Sequence, residues 1–387
     1  MTFPDDRARR QRGARPLPSL GQIFFCLMTT FCFLLVLRNA DAAVEYMGRG
    51  LTLCARTVIP SLFPFMVLSE LLVSSGAGEA LGRIFARPMR WLFGLSGAGA
   101  SAVFLGSMCG SPVGARTAVA LYDKNAISRA ECEHLLTFSN NPSSAFLITA
   151  VGASLFGNRR LGMILYLTVL GSSFLIGFLL RFFFRQDHED GRHRHPHFPS
   201  GLHVGGVSTF TGAVSNAAMS MLTVCAYVIF FSAITGTLFC FIEEVGSIPP
   251  GLAAASYGFF EMSGGISEAV ALSNNETAVV LTAAIAGWSG LSVHCQIMAL
   301  CGGRGLSFKP YLIAKALQGI LCAAVMIVVL RVSDPAQLIP ETDTVVDTLF
   351  TIGTSWKDIQ VPCIVTNTLF IVGWLTVVWR RWRHHNE

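Results

Sequence analysis

Apolar residues run along this chain in blocks too long for the core helices of a soluble domain. A bilayer core of ~30 Å takes about 20 such residues per helix. On that rule the pattern predicts eight crossings, over 21–37, 60–76, 133–156, 161–183, 217–242, 276–300, 311–331 and 363–379. Two further apolar stretches, 98–123 and 251–273, are interrupted by glycine and polar residues and do not read as single spans. Each is expected to enter the membrane and return on the same side as a re-entrant helical hairpin. Two amphipathic segments, 42–58 with Glu45, Arg49 and Arg56, and 80–95 with Arg83, Arg87 and Arg90, are expected to lie in the interface plane. The fold class is therefore all-α: a polytopic membrane protein of about eight transmembrane helices plus two re-entrant helical hairpins in inverted repeats.

Composition agrees. Of 387 residues, 52% are hydrophobic and only 13% charged, where a soluble domain carries roughly 25% charged residues. The 29 phenylalanines suit a lipid-facing surface. The 11 cysteines lack a framework spacing, and several (Cys26, Cys225, Cys322) sit in apolar runs, as small buried hydrophobes do. No Cys/His spacing predicts a metal. Loop arginines account for the net charge of +5, without a nucleic-acid partner.

The basic residues also set orientation, because cytoplasmic loops are enriched in Lys and Arg. With the N-terminus inside and both hairpins returning, 19 of the 28 basic residues fall on the cytoplasmic side. Seven fall opposite, and Arg116 and Lys315 fall inside membrane segments. Both termini are then cytoplasmic, and 21–37 is read as an uncleaved first span. The expected organisation is a basic tail 1–20, a first span with interfacial helix 21–59, a first repeat 60–184, and a polar linker 185–205. A second repeat 206–331, an extracytoplasmic loop 332–362, and a last span with basic tail 363–387 follow.

The repeats rest on weak internal similarity. "SPVGARTAVAL" (111–121) can be laid on "SGGISEAVAL" (263–272), and downstream Ser139 falls on Ser289, Gly152 on Gly302 and Arg159 on Lys309, at a constant offset of 150. Inverted repeats with broken helices are the architecture of many secondary transporters.

Backbone broken at membrane depth must be buried in protein or line a wet cavity. In the first hairpin, Ser107 and Ser111 flank the turn, with Ser111 expected to cap the following helix and Pro112 to suit its first turn. The free N–H groups of that helix start attract an anion. Arg116 is either the counter-ion of an anionic ligand or half of a structural pair with Glu70 or Glu268. "FSNNPSSAF" (138–146) interrupts the next span; Ser139, Asn140, Asn141 and Ser143 are candidate substrate contacts beside the helix-breaking Pro142. In the second half Ser263, Gly264 and Gly265 are expected to form the turn. Ser263 and Ser289 are candidate substrate contacts, and Glu261, Glu268 and His294 are candidates for binding a coupling proton or sodium ion. No catalytic motif, phosphate loop or cofactor signature is present, so neither an enzyme nor an ATP-driven pump is expected.

"PSLFPFMVLSELL" (60–72), "GSMCGSPVGA" (106–115), "LLTFSNNPSSAFLI" (135–148) and "FFEMSGGISEA" (259–269) together resemble sporulation integral membrane proteins of the nucleoside-recognition Gate-domain group, themselves distantly similar to concentrative nucleoside transporters. The resemblance implies a transporter in the outer forespore membrane that moves dipicolinic acid, a small aromatic dicarboxylate. The alternatives are a Gate-fold transporter of a nucleoside or other small anion, and a non-transporting scaffold for sporulation proteins. Partners are then the bilayer, the small anionic substrate and a coupling ion, with homo-oligomeric assembly left open.

Overall fold

The computed structural model of the protein describes residues 20–74, 77–184, 207–272 and 275–333. The expected span 363–379, the linker 185–205, the loop 332–362 from residue 334 onward, and both basic tails but for Leu20 lie outside the described residues. The chain is all-helical, with no strand among the described residues. Five described helices are long and apolar enough to cross a membrane: Leu20–Arg38, Arg159–Leu180, Ser208–Glu244, Glu276–Cys301 and Lys309–Val332. A bent pair, Gly82–Phe93 with Gly97–Cys109 at 102°, makes six if counted as one span. The expected spans 60–76 and 133–156 contain shorter apolar helices, Leu62–Leu71 and Phe146–Leu155.

The chain opens with α1 (Leu20–Arg38) and α2 (Ala40–Leu53), which continues through a π-helical turn, Cys54–Val58, into α3 (Ile59–Ser74). α4 (Ala77–Pro88) ends in a second π-helical turn, Met89–Phe93. The first hairpin is α5 (Ala100–Cys109) and α6 (Val113–Asp123), followed by α7 (Arg129–Phe138), the π-helical segment Phe146–Leu155 and α8 (Arg159–Leu180). After α9 (Val207–Val245) the same order recurs: a hairpin of α10 (Pro250–Phe260) and α11 (Met262–Val270), a broken helix made of α12 (Asn275–Trp288) and α13 (Gly290–Cys301), then α14 (Lys309–Val332). The breaks begin at Ser139 and Ser289, and the closing helices at Arg159 and Lys309, each pair 150 residues apart. The offset read from scattered identities is thus the offset of the architecture.

Three expectations change. The segment 42–58 packs lengthwise against α9 rather than standing apart at an interface. Small residues make that crossing close: a Cβ at Gly236 would overlap the Tyr46 ring, and one at Gly50 would lie 3.1 Å from Ser232. α9 has 39 residues, where 217–242 was expected; at 1.5 Å per residue it is roughly 58 Å long. The turn of the second hairpin is the single extended residue Glu261 (φ −138°, ψ 121°), not Ser263-Gly264-Gly265. The Glu261 carboxylate accepts the N–H groups of Ser263 (3.0 Å) and Gly264 (2.5 Å) and so starts α11 one residue after the turn.

Glycines let each hairpin close. Gly106 and Gly114 face one another, and a Cβ on either would overlap the Ser139 carbonyl oxygen. In the second hairpin a Cβ at Gly265 would overlap the Gly258 backbone. The helix pairs therefore touch backbone to backbone, which no larger side chain permits. Gly114→Ala is expected to destabilise the protein by about 1–3 kcal/mol, the cost of overpacking a filled interior. Gly171→Ala, where a Cβ meets nothing within 4 Å, should leave the thermal unfolding midpoint in detergent unchanged or higher. Equal midpoints for the two variants would contradict the close crossing.

Candidate substrate site between the hairpin tips

Each hairpin tip abuts the break of its own repeat. At the first, the Ser111 N–H donates to the Asn141 carbonyl (2.7 Å), and a Cβ at Gly110 (φ 81°) would lie 2.6 Å from the Ser143 nitrogen. At the second, Ser289 (φ 75°) and Gly290 (φ 81°) are both left-handed, and a Cβ at Gly290 would lie 2.9 Å from the Met262 nitrogen. A non-glycine residue in that region costs of order 1–3 kcal/mol and persists only where its surroundings hold it. Here the Ser289 N–H donates to Ile285 O (2.8 Å) and its hydroxyl to Ala286 O (3.3 Å), which hold it at the end of α12.

Between the two tips lies a cavity of about 70 Å³. Ser111, Pro142 and Ser143 line it from the first repeat; Glu261, Ser263, Ser289, Ser292 and Gln296 line it from the second. Val224 and Val228 of α9 and Leu62 of α3 complete an apolar wall. The Oγ atoms of Ser111 and Ser292 are buried without a hydrogen-bond partner. Buried hydroxyls are normally paired, so these two are free to bond a guest. Glu261 is only 3% exposed, and no Lys, Arg or His is among the lining residues.

Five of the sequence-predicted residues, Ser111, Ser143, Glu261, Ser263 and Ser289, therefore meet in one place. The others serve elsewhere. Asn140 accepts the Ala115 N–H of α6 (2.6 Å) and donates to Leu136 O (2.9 Å). Asn141 donates to Phe138 O (3.1 Å) and Ser173 Oγ (3.0 Å), while its Oδ1 accepts from Gln318 Nε2 (2.8 Å) and Lys315 Nζ (3.3 Å). Both amides knit the break to its surroundings. Ser107 donates to Val103 O (2.7 Å) within α5, and the Ser139 Oγ is buried without a partner. Arg116 pairs with Glu70 at 2.9 Å in a separate hollow of about 40 Å³, and also reaches Asn216 O (3.3 Å). His294 is buried, its Nδ1 2.9 Å from the Tyr311 hydroxyl and its Nε2 without a partner. Glu268 is exposed on α11, within electrostatic reach of Arg49 and Glu243.

Two local expectations are corrected. Ser111 does not cap α6: Pro112 occupies the cap position and makes no side-chain cap bond. The N–H groups expected to cradle an anion are largely engaged, with Ser111 N–H on Asn141 O, Val113 N–H on Gly110 O and Ala115 N–H on Asn140 Oδ1. Gln296, Lys315 and Gln318 carried no assigned role in the sequence. A lysine within an apolar span was the one visible signal.

Paired hairpins pressed on broken helices around a largely apolar cavity that holds a few polar groups, in a chain of long apolar helices, describe an integral membrane protein. Residues 55–173, which hold the first hairpin and the first break, match the family model for Gate, nucleoside recognition. Over 338 residues the chain is 29% identical to the sporulation integral membrane protein YlbJ of Bacillus subtilis (strain 168), covering 79% of this chain and 82% of that one. Both matches bear out the resemblance read from the residues. No solved structure matches the chain.

Removing the Asn140 side chain would leave the buried Ala115 N–H and Leu136 C=O short of a partner, at a cost of about 1–3 kcal/mol each for a buried unsatisfied group. Asn140→Ala should accordingly unfold earlier in detergent and expose the 106–116 backbone to faster hydrogen exchange. Unchanged exchange there would show that Asn140 does not hold the hairpin.

Proposed function

We propose that the chain is a secondary transporter acting in sporulation, that its substrate occupies the cavity between the two hairpin tips, and that the cargo is dipicolinate carried across the outer forespore membrane. In this reading the chain makes eight crossings, the hairpins are re-entrant from opposite faces, both termini are cytoplasmic, and the cargo is moved without chemical change. The observation that carries it is the convergence of two tips and two breaks on one cavity holding unpartnered hydroxyls. Such a junction between repeats is where secondary transporters hold their substrates. The name of the sporulation relative supports the setting, and the resemblance of the motifs suggests the cargo.

The lining holds one carboxylate and no cationic side chain. A dianion beside an ionised Glu261 is repelled, so its passage calls for a coupling cation, a sodium ion or a proton, at that carboxylate. The same lining favours a second reading: hydroxyls, an amide and a single acid suit a neutral, hydroxyl-rich molecule such as a nucleoside.

Purified protein in vesicles, offered labelled dipicolinate or labelled uridine with and without sodium and pH gradients, separates these readings. Dipicolinate uptake that depends on an ion gradient, and loses that dependence in Glu261→Gln, supports the first. Uridine uptake alone supports the second. Vesicles that take up neither leave the scaffold reading and remove the transporter.

A further inference from the structure

Lys315 is fully buried, at 0% exposure. Its Nζ donates to two neutral amide oxygens, Gln318 Oε1 (2.9 Å) and Asn141 Oδ1 (3.3 Å). No carboxylate lies within ion-pair distance of it among the described residues. A buried ammonium without an acid is costly by several kcal/mol, and ionisable groups inside membrane segments usually have a task. Packing does not require it. The position 150 residues earlier, on α8, is Leu165, which is equally buried, and Gln318 corresponds there to Thr168. The ammonium and its amide exist in one repeat only, and they reach across to the break of the other.

What they reach is a lever. Asn141 takes Lys315 and Gln318 on its side chain and the Ser111 N–H of the hairpin tip on its carbonyl (2.7 Å). Pro142 and Ser143, the next two residues, line the cavity. A proton gained or lost at Nζ therefore acts, through one residue, on both the tip and the wall of the site. Other ionisable groups on the packed elements are placed differently. On α7, His134 is bonded to Gly177 O (2.8 Å), and Glu131 and Glu133 bind the Ser96 and Ser307 N–H groups. On α8, the Tyr166 hydroxyl donates to Ser107 O. Glu276 stands in the first turn of α12, roughly 18 Å along that helix from Trp288. Two do stand within electrostatic reach of Lys315: His294 of α13, which is tied to Tyr311, and Cys322, two turns along α14.

We propose that Lys315 is a proton-binding site whose charge state sets the conformation of the Ser139–Ser143 break and the first hairpin tip. It deepens the transport reading, on which its coupling role rests: beside the cation at Glu261, a protonated Lys315 supplies a second positive charge that a dianionic cargo needs and the cavity lining lacks, so cargo and proton travel together.

The test has two arms. In the first, hydrogen exchange of backbone amides in 106–116 and 138–146 is followed between about pH 5 and pH 10 in purified protein, corrected for intrinsic rates. The wild type should show a titration step in both segments, and Lys315→Met and Lys315→Gln should lose it. Absence of the step in wild type, or its survival in a folded variant, overturns the proposal. In the second arm, vesicles loaded with a pH-sensitive dye receive external dipicolinate. Acidification inside that both substitutions abolish supports the coupling, and cargo entry without proton movement overturns it. Should no cargo enter while the exchange step is present and Lys315-dependent, the proton site stands and the transport reading falls.

Discussion

The break at Ser139–Ser143 has to be satisfied from within the protein, and much of the arrangement follows from that. Free N–H and C=O groups in an apolar bundle cost several kcal/mol each when left unpaired. Here Asn140 and Asn141 do the pairing with side chains as well as backbone, joining α6, α7, α8 and α14 at one point. The first hairpin is consequently not an appendage. Its tip closes the break, the break holds its tip, and neither has a satisfied backbone without the other.

Close approach is the second requirement, and glycine meets it. The tip reaches the break only because α5 and α6 cross at Gly106 and Gly114 with the Ser139 carbonyl lodged between them. Polar ties then fasten the hairpin and its neighbours. Arg116 joins α6 to Glu70 of α3. Arg304 grips Asp123 at the end of α6 through both carboxylate oxygens (2.8 and 3.1 Å from Nε). Arg181, at the end of α8, donates to the Trp91 and Leu92 carbonyls and lies over the Phe178 and Phe182 rings. The exposed Arg304–Asp123 pair contributes little stability alone, but it fixes which helix ends stay together, while the half-buried Arg116–Glu70 pair ties α6 to α3 one turn from the tip.

Much of this was legible in the residues. Pro142 after two asparagines marked the first break, Ser-Gly steps marked the second, and the 150-residue offset of three scattered matches reproduces the helix starts. Hairpin limits were readable because glycine and polar residues interrupt otherwise apolar runs. What periodicity could not show was which partner each polar group takes. Ser111 looked like a cap, yet Asn140, 25 positions along the chain, supplies the acceptor that α6 uses. Ser263 to Gly265 looked like a turn, yet Glu261 reached forward to their N–H groups and moved the turn to itself. The place of 42–58 depended on Gly236, nearly 200 positions away, and no local pattern encodes that contact.

The two repeats solve one geometric problem with different chemistry, and that difference gives the cavity its polarity. The first break is held open by amides and backed by the buried amine of Lys315. The second is held by left-handed backbone at Ser289 and Gly290 and faced by the carboxylate of Glu261, itself committed to the start of α11. A symmetric pair of breaks would present the same field from both sides and give a guest no preferred orientation. Here the basic group stands behind one wall, on the amide of Asn141, and the acidic group lines the other. Glu261 is tied directly to the backbone of its own hairpin tip, whereas Lys315, from the second repeat, meets the first tip only through Asn141, whose side chain it holds and whose carbonyl takes the Ser111 N–H.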